Sequence, residues 1–181
     1  MARAYYYFAA SLTHLQFGAK EPQPVEVFLK DCERLMDPQD YLCVKSVIEG
    51  TAVPSGNRTA AAWIKFEHDL RNELAFQRAE KKAVNPAGHI RGTRDASAQA
   101  REIVGQALKA ANPLEGEKFI DAARWQYLEE LAVGQQFNFD YILIYAVKLK
   151  ILERYHHLES PRAKDIFEKI KNVDDLLIGL I

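Results

Sequence analysis

With 181 residues, 48% of them hydrophobic and 27% charged, the chain can bury a proper core and is too apolar for overall disorder. A formal net charge of −1 argues against a general nucleic-acid binder, which needs a broad basic surface. Cys32 and Cys43 are its only cysteines, with no paired Cys/His spacing, so neither a disulfide framework nor structural zinc is expected.

The opening residues, MARAYYYFAASL, lack the long apolar region and cleavage site of a signal peptide, and the expectation is a cytoplasmic chain. Tyr5, Phe8, Leu12 and Leu15 keep helical spacing, although the YYYF cluster would also suit a strand; we read a helix over 5–15. Gly18 and the prolines at 22 and 24 mark a loop. From Pro24 to Met36 the residues Phe28, Leu29, Cys32, Leu35 and Met36 form a core-facing stripe, which makes Cys32 a small buried hydrophobe rather than a reactive thiol. Asp37 caps and Pro38 opens the next helix, Tyr41, Val44, Val47 and Ile48 carry its apolar side, and Gly50 ends it.

Residues 51–58, TAVPSGNR, have turn chemistry. A long helix follows over about 59–83, lined by Trp63, Phe66, Leu70 and Leu74, with Glu67 and Arg71 at a favourable i,i+4 spacing. His68 lies off that stripe and is read as solvated. The stretch 78–101 then holds six Lys/Arg against two acids, and its middle, NPAGHIRGTRD, has no periodicity. This basic loop, with Lys81, Lys82, Arg91 and Arg94, is either a solvated connection or a contact for an acidic partner. Its glycine spacing fits no phosphate-binding fingerprint.

Further helices are predicted over 97–111, with Ala100, Ile103, Val104, Ala107 and Leu108 facing inward, and over 114–133, opened by Asn112-Pro113 and closed by Gly134. Asn138 can cap the most apolar stretch of the chain, FNFDYILIYAVKLKILERYHHL at 137–158. At about 100° per residue, Tyr141, Ile142, Ile144, Tyr145, Leu149, Ile151, Leu152 and Tyr155 gather on one side. The short turn before it makes this helix antiparallel to the preceding one. Its uninterrupted apolar run covers only 141–147, too short for a membrane span of about 20 residues. Lys148 points into the apolar half. A buried ammonium must find a carboxylate, reach water or lose its proton, so a structural ion pair with Asp121, Glu129 or Glu130 is expected. Ser160-Pro161 starts a last helix, and the apolar tail with Leu177, Ile178 and Leu180 either folds back or meets a partner.

The predicted fold is all-α: a bundle of about seven helices forming one domain, with lobes 1–84 and 96–181 joined by the basic loop 85–95. No GxSxG, HExxH, Walker or kinase motif occurs. His156 and His157 are adjacent on a helix and diverge by about 100°, a poor arrangement for one metal ion.

The stretch FNFDYILIYAVKLKILERYHHL resembles the C-terminal signature of the central-stalk subunit called C in archaeal and bacterial V/A-type ATPases and d in eukaryotic ones. Tyr145, Lys148, Glu153 and Arg154 align with that signature, while Lys148-Leu149 stands where the family commonly has Lys-Glu. YYYFAASLTHLQFG and PVEVFLKDCERLMDPQDY resemble a short bacterial family encoded within V-type ATPase operons, and this second likeness covers both ends and much of the chain. The chain is far shorter than the three-lobed stalk subunit. The resemblance implies an all-helical, non-catalytic body that joins the rotary axle to the membrane ring, with central-stalk and ring subunits as partners and no cofactor. The alternative is a helical interaction module, or a homo-oligomer, unrelated to the ATPase.

Overall fold

Seven α-helices follow one another in the computed structural model, which describes residues 5–51, 56–93 and 97–159. They are α1 (Tyr6–Ser11), α2 (Val25–Leu35), α3 (Pro38–Glu49), α4 (Arg58–Lys81), α5 (Ala98–Ala107), α6 (Pro113–Ala132) and α7 (Phe139–Glu159), with no strand among the described residues. The all-α class is therefore the observed one. The expected helix from Ser160 and the apolar tail with Leu177, Ile178 and Leu180 lie outside the described residues, as does Arg94.

Local chemistry sets the helix starts. Asp37 accepts from the Gln39 N–H at 3.0 Å with Pro38 in the first turn, and Asn57 accepts from Ala60 N–H at 2.7 Å. Ser97, Asn112 and Asn138 do the same for α5, α6 and α7. Gly50 ends α3 at φ 71°, in the left-handed region where glycine carries no steric cost. Two helices are shorter than their patterns suggest. α1 stops at Ser11, whose hydroxyl turns back to the Phe8 carbonyl, and α5 stops at Ala107. The end of α5 comes so close to α6 that a Cβ on Gly116 would sit 2.7 Å from the Ala107 carbonyl oxygen. Gly116 is thus a contact point between helices, despite the helix propensity it costs.

One hydrophobic cluster runs from Phe8 and Phe28 through Val44, Phe66 and Val104 to Leu152, so the two halves of the chain share a core. Its axis is α7, which packs on α2, α3, α4 and α6. Every residue from Ile142 to Leu149 is buried, a wider burial than the half-circumference read from the sequence, because neighbours stand on all sides. Leu35 corrects the periodicity of α2: it is 46% exposed, while Phe28 and Cys32 on the same predicted stripe are fully buried. Burial also pushes the Cys32 thiol up to about 12, so it packs as a hydrophobe. No described helix is long and apolar enough to cross a membrane.

Candidate functional site

Among the polar and aromatic side chains of α7 that fasten it to its neighbours are Tyr145, Lys148, Glu153 and Arg154. The Tyr145 ring lies 5.2 Å from that of Phe28 on α2. Lys148, 9% exposed, donates to Glu129 Oε1 on α6 at 2.8 Å and stands 5.1 Å over the Trp125 ring. Its ammonium reaches past the apolar wall to a carboxylate that is itself solvated, which lets the aliphatic stem stay buried. Glu129 is the partner at hydrogen-bond distance; Glu130 is exposed. Glu153 Oε1 accepts from the Val25 N–H at 3.3 Å, capping α2 where Pro24 offers no side-chain acceptor. Arg154 reaches Asp121 at 3.0 Å and Glu117 at 2.5 Å, both on α6.

Arg154 belongs to a longer chain of alternating charges. Arg71 on α4 pairs with Glu67 at 3.0 Å, and Glu67 accepts from Arg124 on α6 at 2.5 Å. Arg124 also donates to Asp121 at 2.8 Å, Arg154 bridges Asp121 to Glu117, and Arg78 on α4 closes the sequence on Glu117 at 3.2 Å. The path runs from α4 through α6 and α7 and back to α4. Asp121, 0% exposed, is its centre. One carboxylate oxygen takes both guanidinium groups, while Oδ2 is buried with no hydrogen-bond partner among the described residues. Burial raises the Asp121 carboxyl above its ordinary value, and the charges of Arg154 and Arg124 offset only part of that. Glu117 goes the other way: burial opposes its ionisation, but the hydrogen bonds and charges of Arg154 and Arg78 hold its pKa below the usual range.

Sequence reading paired Glu67 with Arg71, but named Asp121 as a possible partner of Lys148, whereas its observed partners are Arg124 and Arg154, and it missed Arg124 and Glu117. Glu117, Asp121 and Arg124 are spaced by four and three, so they share one face of α6 with Ile120 and Leu128 close beside them. Charges grouped at that spacing beside apolar residues were the available signal.

The basic loop is more tightly built than its composition suggests. Pro86–Gly88 forms one 3₁₀ turn capped by Asn85, and the Asn72 amide of α4 clamps the Arg91 backbone in both directions, at 3.0 and 2.9 Å. Lys81 donates to the Leu108 carbonyl at the end of α5, satisfying a helix C-terminus. Lys82 and Arg91 are exposed. The predicted basic contact set is therefore divided: Lys81 is engaged internally, and Arg91 has a fixed backbone.

A second exposed feature was not anticipated. Tyr6 at the start of α1 stands beside the α6–α7 turn, where its ring and that of Phe137 lie 5.8 Å apart. Tyr7 is 95% exposed, and Val133 and Phe137 are also open to solvent. Phe137 adopts φ 57°, a left-handed conformation that costs a bulky residue energy, and the Tyr5 N–H holds its carbonyl at 2.6 Å. Among the described residues, no group of three or more His, Cys, Asp or Glu is arranged to hold a metal ion.

A family model described as a protein of unknown function (DUF2764) matches residues 94–176, a segment that takes in α5, α6 and α7. No curated protein and no solved structure matches the chain.

Proposed function

We propose that the chain is a non-catalytic subunit or accessory factor of a V-type (V/A-type) ATPase or ATP synthase, which couples the central rotor stalk to the membrane ring. The observation that carries this reading is the mounting of α7. Tyr145, Lys148, Glu153 and Arg154, the residues that align with the central-stalk signature, each tie this buried helix to α2 or α6. A body that passes torque must resist relative movement of its helices. A spine surrounded by neighbours and held by ion pairs supplies that resistance.

In this reading the protein is cytoplasmic and reaches the membrane through the complex. Its contact surfaces are the exposed basic residues Lys82 and Arg91 and the aromatic patch of Tyr6 and Phe137. That patch also favours a second reading, a helical interaction module or homo-oligomeric adaptor outside the ATPase. A tagged copy recovered from native membranes decides between them. Recovery with rotor or stator subunits is the expected result; recovery of only further copies of the chain would favour the second reading and sink the first.

A further inference from the structure

Beside the charge network lies a cleft of about 660 Å³, walled by α3, α4, α6 and α7 with the loop around Arg91 at its rim. Its size is within the roughly 300–1,000 Å³ usual for small-ligand sites. Apolar surface comes from Val47, Trp63 and Val147. Its charged lining is Arg71, Arg91, Arg124, Lys150 and Arg154 against Glu49, Glu67 and Asp121, five cations to three anions.

The three carboxylates are already engaged. Glu67 is shared by Arg71 and Arg124, Asp121 by Arg124 and Arg154, and Glu49 faces Lys45 at 3.9 Å. Lys150 Nζ, by contrast, donates to a backbone carbonyl, that of Ile48, rather than to a carboxylate. Loss of surrounding water, followed by the nearby Arg71 charge, lowers its pKa, although Glu67 and Glu153 work in the opposite direction. The same ion pairs occupy Arg71, Arg124 and Arg154, the last also through Glu117, so the excess positive charge in this concave place rests on Lys150 and Arg91, with the outer N–H groups of the paired arginines beside them.

We propose that this cleft binds a small phosphate-bearing anion, held by Lys150 and by the guanidinium groups of Arg71, Arg91 and Arg154. The planar arginine fork matches phosphate oxygens in pairs, and a lysine adds a point charge beside it. The Asn72 clamp fixes the Arg91 backbone at the rim before any ligand arrives, which reduces the entropy lost on binding. This inference is independent of the ATPase reading.

Calorimetry of the full chain at low salt tests it, with inorganic phosphate, pyrophosphate, ATP and a hexaglutamate peptide as separate probes. Pyrophosphate or ATP should bind saturably and more tightly than hexaglutamate. ATP binding more tightly than pyrophosphate would identify a nucleotide as the source of the phosphate, and the reverse an inorganic one. Arg91→Gln and Lys150→Gln should each weaken binding roughly tenfold, the worth of one charge-assisted hydrogen bond. Lys150 holds a backbone carbonyl, so its variant could also loosen the fold. Arg91→Gln lies outside the charge network and decides the matter by itself, read beside an unliganded melting curve that matches wild type. The absence of saturable heat with all three phosphates, or unchanged affinity in Arg91→Gln, would overturn the proposal. So would tighter binding of hexaglutamate, which would assign the cleft to an acidic protein segment.

Discussion

Phe28→Ala is expected to lower the stability of the folded chain by about 3–5 kcal/mol, the range for truncating a fully buried aromatic residue. The Phe28 ring is in contact with Phe8 at 5.9 Å and with Tyr145 of α7 at 5.2 Å, so its loss opens a cavity where three helices meet. At about 2–4 °C per kcal/mol for a chain of this size, the melting temperature should fall by roughly 6–20 °C. Leu35→Ala on the same helix is the internal control. Its side chain is largely solvated, and the change should stay within about 0.5 kcal/mol. Equal losses from the two variants would mean that α2 does not dock on α7 through Phe28.

Removing the central guanidinium should be nearly as damaging. Arg124→Met leaves the fully buried Asp121 with Arg154 as its remaining ionic partner, and leaves Glu67 to the exposed Arg71. One-sided loss from a buried ion pair costs about 3–5 kcal/mol, and because Arg154 still reaches Asp121 we expect about 3 kcal/mol. The loss should also depend on pH. The Asp121 pKa is already raised in the native state, by burial first, and without Arg124 it rises further. A native pKa above the unfolded value means that the folded state binds more protons. The associated stability is present below the unfolded pKa and is lost as pH rises through the native one. Denaturant unfolding should therefore show a smaller deficit for the variant near about pH 4 than near about pH 7. An identical deficit at both would show that Asp121 does not feel the missing charge.

Local signals were enough for most of the fold. Asp37-Pro38, Gly50, Asn112-Pro113 and Asn138 mark helix ends by side-chain hydrogen bonds or left-handed backbone, and those effects act over a few residues. The acidic partner of Lys148 was equally accessible, because a short turn between antiparallel helices brings α6 carboxylates alongside α7. What could not be read depends on tertiary placement. Periodicity gave Leu35 and Phe28 the same stripe, yet only the position of α7 decides which is covered. Arg124 joins Glu67 across 57 residues of sequence, and the Asn72 clamp on Arg91 depends on where a loop without periodicity folds back. The end of α5 was missed for a similar reason: the contact between Ala107 and Gly116 is set by how closely two helices approach.

The aromatic patch is a different kind of omission. YYYF at the N-terminus looked like core material, and Phe8 and Ala9 are buried, but Tyr6 and Tyr7 face outward. An alternation of outward and inward residues in so short a helix gives no reliable stripe, since α1 has fewer than two turns. The pairing of Tyr6 with Phe137, whose backbone is left-handed, leaves exposed aromatic surface at one end of the α6–α7 hairpin.

The claim that this helical body transmits force between stalk and ring is tested most directly by measuring ATP hydrolysis and ion pumping together in native membranes, with and without the chain. Coupling predicts that hydrolysis persists while pumping collapses when the chain is absent, and that the wild-type chain restores pumping. Hydrolysis and pumping that remain in their normal ratio without it would contradict the account.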